Sequence, residues 1–206
     1  MRKVAWAAAL LFAACYPGGA ETVGDLDSVT TQHDATASFA TIRTYALPET
    51  IQEVASTGGQ SLPMDHSYDT RILARVEANL NAIGLRRVDP AAETGDVDVL
   101  VTFTATRYTE YTSYPFYDVW PDWDGFSGYD ASWGIHYPYA SASATILDAG
   151  SLRIEMLDPR TANPSTRQLT AIWTASVDGV LAGAEESIVQ RIEKGIDQAF
   201  AQSPYL

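Results

Sequence analysis

Apolar and polar positions recur along most of the chain at spacings that identify its elements. Val97, Val99, Val101 and Phe103 alternate with Asp98, Leu100, Thr102 and Thr104, the period of a half-buried strand. Between Asp69 and Gly84, Ile72, Val76, Leu80 and Ile83 recur at helical spacing. Gly84 suits the position after that helix because it adopts the left-handed conformation without a Cβ penalty. Asp65 reads as the helix N-terminal signal, and Ser67 or Asp69 could serve similarly. In Gly183 to Gln202, Ile188, Ile192, Ile196 and Phe200 follow at i+4 steps, with Pro204 as a stop. A Thr/Ile/Tyr-rich stretch from Phe39 to Leu47, closed by Pro48, predicts the first strand, and Glu49 to Pro63 a loop. Ser141–Leu147 and Ser151–Leu157 flank Asp148-Ala149-Gly150 and predict a hairpin. In its second strand Leu152, Ile154 and Met156 face one way, and Arg153 and Glu155 the other. Asp158 to Arg167, with two prolines, reads as a turn, and Leu169, Ala171, Trp173, Ala175 and Val177 mark the last strand.

The order is therefore strand, helix, strand, long loop, hairpin, strand, helix. A strand–helix–strand crossover makes the first two strands parallel if they share a sheet, and the hairpin adds antiparallel neighbours. The expected class is α+β: a two-layer sandwich with a mixed, mainly antiparallel sheet of four to five strands and two helices packed on one face.

Ahead of this domain the pattern changes. Met1-Arg2-Lys3 precedes Val4 to Ala14, eleven residues without charge. That is the basic start and apolar run of an export signal, too short to cross a bilayer core. The chain's sole cysteine stands at its end, in Leu11-Phe12-Ala13-Ala14-Cys15. Small residues before a cysteine, behind an apolar run, look like a bacterial lipobox, with Phe12 where Leu is usual. Cys15 is the expected lipidation site, its thiol carrying a diacylglycerol and the cleaved chain starting there. The alternative is a plain signal peptide cut elsewhere, for instance after Ala20. Each buried acyl methylene is worth about 0.8 kcal/mol, so two or three palmitate-like chains hold a protein on a membrane almost permanently. The predicted organisation is a signal peptide over 1–14, a flexible tether over 15–32, and a single domain over 33–206.

His33-Asp34, Phe39, Arg43-Thr44-Tyr45-Ala46 and Pro48 resemble the opening motif of a family of predicted bacterial envelope lipoproteins, catalogued as domain of unknown function 4136. The resemblance runs on through Leu80, Gly84, Asp96-Val97-Asp98-Val99-Leu100-Val101, Gly150-Ser151-Leu152, Asp158, Trp173 and Ser203-Pro204. Ala175 departs from it, where Gly is frequent in the family. The resemblance implies export, lipidation and an α+β domain, and supplies no reaction or catalytic residues.

Charge narrows the partners. The chain holds 13 Lys and Arg against 26 Asp and Glu, a formal net charge of −13. Removing residues 1–14 takes Arg2 and Lys3 with it, leaving 11 basic groups against 26 acidic ones. Such a polyanion repels phosphate backbones, and no basic patch relieves this, so nucleic acid is excluded as a partner. Nor would the body lie flat on anionic lipid. One cysteine permits neither an intramolecular disulfide nor a cysteine-based zinc cluster.

The segment Tyr108 to Tyr139 concentrates more than half of the chain's aromatic residues, with Glu110, Asp118, Asp122, Asp124 and Asp130 and no Lys or Arg. A structureless stretch of that length is often functional. Aromatic faces beside carboxylates suit a sugar or a protein partner, which makes Tyr111, Tyr114, Tyr117, Trp120, Asp122, Trp123, Asp124 and Trp133 candidate ligand-binding residues. The simpler reading is that the loop folds over the exposed sheet face and buries its own rings. Asp122-Trp123-Asp124-Gly125 begins like a calcium loop, but Trp133 stands where the twelfth-position Glu of an EF-hand belongs, so no metal site is assigned. His33, His66 and His136 stand in no ligand pattern, and Asp65-His66-Ser67 are neighbours that cannot line up as a triad. Asp96 and Asp98 read as a solvated strand face. No nucleophile elbow, P-loop or dinucleotide fingerprint occurs.

The expected protein is thus no enzyme and carries no cofactor. It is expected as a lipid-anchored protein of a Gram-negative envelope that faces the periplasm and binds an envelope protein or a glycan through the aromatic loop. Tyr16 follows the cysteine where Asp would signal inner-membrane retention, which favours the outer membrane. A periplasmic glycan-processing hydrolase using two carboxylates of the same loop is one alternative, and a purely structural module with the loop buried is the other.

Overall fold

Three runs, 99–105, 152–163 and 168–178, form the long strands around which the domain is built. The computed structural model describes residues 27–53, 66–89, 97–105, 114–115, 126, 128–130, 132–139, 146–147, 151–179 and 185–206. In chain order these form β1 (Ser28–His33), β2 (Thr44–Ala46), β3 (Gln52–Glu53), α1 (Asp69–Ala82), β4 (Arg86–Arg87), β5 (Val99–Ala105) and β6 (Tyr114–Pro115). There follow β7 (Gly134–His136), β8 (Ile146–Leu147), β9 (Leu152–Asn163), β10 (Gln168–Asp178) and α2 (Glu185–Ala201).

The main sheet has eight strands, ordered β1-β10-β9-β5-β2-β4, with β3 on β5 and β7 on β10. It is larger than the expected four to five strands because short edge segments extend it. The long strands pair antiparallel, whereas β2 runs parallel to β5, as the crossover through α1 requires. The class is α+β, and both helices lie on one face. There Ile72, Leu73, Val76 and Leu80 of α1 and Ile192, Ile196, Ala199 and Phe200 of α2 share one cluster with Val99, Val101, Phe103, Leu152, Ile154, Met156, Trp173 and Val177. Gly195 of α2 passes so close to β10 that a Cβ there would stand 2.3 Å from a Val177 methyl carbon. On their outer sides Arg71 binds Glu193 through two 2.8 Å bonds, and Arg75 pairs with Asp197. These pairs are exposed and contribute little.

Several sequence expectations are corrected here. The last residues of the expected tether, 28–32, belong to β1, which pairs antiparallel with β10 from Ser28↔Asp178 to His33↔Trp173. The first expected strand, 39–47, is a single 3-10 turn at Phe39–Thr41 followed by the three residues of β2. That turn brings Phe39 against His33 and Tyr205, the latter stacked on His33 at 3.9 Å. Strand β5 is buried on both faces, not one. Strand β8 pairs with β6, so the expected hairpin is not the one formed. The hairpin partner of β9 is β10, because β9 continues to Asn163 and only 164–167 of the segment read as a turn forms one. Nor do Leu169, Ala171, Trp173, Ala175 and Val177 share a face. A register shift at Ile172 turns Trp173, Ala175 and Val177 toward the helices and leaves Leu169 and Ala171 on the other side.

Helix α1 begins after Tyr68, whose side chain makes no capping bond. Asp65 lies outside the described residues. At its other end Gly84 has φ +92°, and the Leu85 amide donates to the Leu80 carbonyl, the terminus the sequence predicts.

Candidate functional site

The sheet face turned away from the helices carries the unusual chemistry. Thr102 and Thr104 of β5, Arg153 and Glu155 of β9, and Thr174 and Ser176 of β10 lie side by side on it, and all are buried. Arg153 Nε donates to Glu155 Oε1 at 3.0 Å, with both side chains at 1% exposure or less. Ionised groups taken this far from water survive only when their charge and hydrogen-bonding capacity are matched. Part of that matching comes from the aromatic segment. The Tyr137 hydroxyl donates to Glu155 Oε1 at 2.6 Å, and the Arg153 guanidinium carbon stands 5.3 Å from the centre of the Tyr137 ring. Tyr139 and Thr174 share a hydroxyl–hydroxyl bond of 2.5 Å. Burial first, and then the neighbouring Glu155 charge, push the Tyr137 phenol far above its ordinary range. Burial likewise raises Tyr139.

Beside this polar area Leu100, Leu157, Leu169 and Ala171 form an apolar patch closed by Phe126. Tyr129, Trp133, Ile135, Tyr137 and Tyr139 pack against it, and Tyr129 meets Trp133 edge to face at 5.0 Å. Three parallel ladder positions, Gly134–His136 on Gln168–Thr170, hold this strap to the sheet. The described residues between Phe126 and Tyr139 therefore cover the second face.

Of the candidate ligand-binding residues, Trp133 belongs to that cover and is half-buried. Tyr111, Tyr117, Trp120, Asp122, Trp123 and Asp124 lie outside the described residues, as do the side chain of Tyr114 and Cys15. The structure thus brings Trp133 together with Tyr129, Phe126, Tyr137 and Tyr139, and adds Arg153, Glu155 and Thr174, which are not among the candidate residues. For Arg153 and Glu155 the signal is the polar alternation of β9. What could not be read was that a strap beginning some twenty residues upstream closes over it.

Two further polar groups lie away from this face, and one of them differs from expectation. Asp98 does not line a solvated face. Its Oδ2 accepts the Arg43 amide at 2.8 Å, the Thr44 amide at 3.0 Å and the Thr44 hydroxyl at 3.1 Å. Burial opposes ionisation of Asp98, but those bonds outweigh it, with Arg160 assisting, and the carboxyl sits below its ordinary range. Stability from Asp98 is therefore complete above the ordinary Asp value of about 3.9 and fades as pH falls through the lower folded value. Urea unfolding at several pH values below 5 should show a shallower acid loss for Asp98→Asn than for the native chain. An unchanged acid limb would contradict this.

His66 pairs with Asp69. Asp69 is buried, and its Oδ2 accepts the Ile51 amide at 2.9 Å and meets His66 Nδ1 at 2.8 Å, which ties α1 to the chain after β2. Among the described residues no three His, Cys, Asp or Glu side chains could hold a metal ion together, and no helix is long and apolar enough to cross a membrane.

The sequence matches the family Domain of unknown function (DUF4136) over residues 29–205. No curated protein matches. Among solved structures, a DUF4136 family protein from Bacteroides thetaiotaomicron is similar at 23% identity and a TM-score of 0.62, over 87% of this chain and 97% of that one. A PelC dodecamer subunit from Paraburkholderia phytofirmans is 13% identical with a TM-score of 0.38, over 85% and 99% of the two chains. A PDZ domain protein from Parabacteroides distasonis is 14% identical with a TM-score of 0.42, over 87% of this chain and 36% of that one. The first similarity shows a shared fold, and the other two overlaps are too loose to carry an argument.

Proposed function

The chain belongs to the DUF4136 family, and on that premise we propose that it is a lipid-anchored envelope protein that faces the periplasm and works by non-covalent binding. The observation that carries this reading is the position of the only cysteine, Cys15, directly behind a basic start and an eleven-residue uncharged run. Tyr16 after the cysteine favours the outer membrane of a Gram-negative bacterium. Arg191 fixes Asp27 at the head of β1, its Nε donating to Asp27 Oδ2 at 2.7 Å and its Nη2 to the Gly179 carbonyl at 2.8 Å.

The binding surface is the aromatic and acidic stretch Tyr111, Tyr114, Tyr117, Trp120, Asp122, Trp123 and Asp124, and the ligand is an envelope glycan or protein. Trp133 acts as cover, consistent with its packing on Tyr129. A second reading has support from the same packing: the whole segment is a structural cover and binds nothing. The test separates the two. Mature protein should sediment with isolated envelope sacculi, and Tyr117→Ser/Trp120→Ala/Trp123→Ala should lose most of that association while its unfolding midpoint stays near the native one. Unchanged sedimentation would remove the binding role, and a large loss of stability would favour the cover.

A further inference from the structure

The root of the tether lies at one particular end of the sheet. Asp27 is held by Arg191 and immediately precedes Ser28, which pairs with Asp178 at the last position of β10. Ala105, the last residue of β5, pairs with Leu152, the first of β9, and with Glu53 of β3. The beginning of β1 and β9 and the end of β5 and β10 therefore share one end. Ala105 and Ser151 both lie at this end. The opposite end is formed by the β9–β10 turn at 164–167, with exposed Arg160 and Arg167.

We propose that the end bearing Asp27, Ala105, Ser151 and Asp178 faces the lipid surface, and that the β9–β10 turn is presented to the periplasm. This rests on the lipid-anchor reading above. Twelve steps separate Cys15 from Asp27, a reach of at most about 43 Å. The twelve residues of β9 extend about 40 Å. Standing on its far end, the domain would need those twelve steps drawn out to nearly their full reach. Lying on its side is disfavoured for two other reasons. The mature chain has 11 basic groups against 26 acidic ones, so anionic lipid repels its flanks. Among the described residues, Ile83 is the sole large hydrophobic side chain exposed, so the described flanks hold no apolar surface to insert.

The test uses the acylated full-length protein in phosphatidylethanolamine–phosphatidylglycerol vesicles. With Cys15 blocked by its lipid, Ser28→Cys and Ser165→Cys each supply one thiol for a fluorophore, and energy transfer to a headgroup-labelled lipid reports height. Transfer should be several-fold stronger from position 28 than from position 165. Equal or reversed transfer in vesicle-bound protein overturns the orientation alone. Failure of the protein to float with the vesicles overturns the anchor and the orientation together.

Discussion

Glu155→Ala should lower the domain's stability by about 3–5 kcal/mol, the cost of removing one member of a buried ion pair. Glu155 accepts from Arg153 and from the Tyr137 hydroxyl at 3.0 and 2.6 Å, and neither its carboxylate nor the guanidinium reaches water. Truncation takes away the charge that balances Arg153 and the acceptor that holds the strap. The pair itself need not be worth that much. An apolar replacement of similar volume avoids desolvating two ions, so Arg153→Met/Glu155→Leu/Tyr137→Phe should recover most of the loss. Urea midpoints at constant slope would check both results. A Glu155→Ala midpoint close to native would mean that water reaches this face, and the cover described above would be wrong.

Trp173→Ala should cost a similar 3–5 kcal/mol for a different reason. The indole is fully buried between sheet and helices, tilted against Phe200 at 5.3 Å. Its Nε1 donates to Ser203 Oγ at 2.9 Å, and that hydroxyl donates on to the Ala199 carbonyl at 2.9 Å. Truncation opens a cavity beneath α2 and frees the C-terminal turn. Trp173→Phe, which keeps most of the volume and loses the bond, should cost markedly less. Near-equal losses for the two variants would place the stabilisation in the bond and not in the packing.

The two helices were legible because their apolar stripes follow a local rule, Ile72–Val76–Leu80 and Ile188–Ile192–Ile196–Phe200. Their shared face followed from the order of elements. Strand β1 was not legible, since Ser28-Val29-Thr30-Thr31-Gln32-His33 has no apolar alternation and is defined by its pairing with β10. The shift at Ile172 defeats a period-2 reading, because one unpaired residue moves every later side chain to the opposite face. Two prolines make Asp158 to Arg167 read as a turn, yet its first six residues continue β9, with Asp158 Oδ1 accepting the Arg160 amide at 2.8 Å, and only 164–167 turns. Polar alternation at Arg153 and Glu155 places the two side chains on the second face, where both are buried. The bond from Tyr137 to Glu155 spans 18 positions, and no local pattern encodes it.

For the candidate site, the sequence picked out the aromatic segment and the reading that it covers the sheet. The portion around Tyr129, Trp133, Tyr137 and Tyr139 does cover it. Residues Tyr111 to Asp124 carry the binding proposal on composition alone, because rings beside carboxylates name a ligand chemistry without naming a pose.

Where the molecule resides decides which partners it can meet, and one mass measurement tests that most directly. The N-terminal peptide of protein purified from its native membrane should begin at Cys15 and carry the added mass of a thioether-linked diacylglycerol, with or without a third acyl chain. A free thiol on Cys15, or a chain that starts downstream of it, would contradict the account.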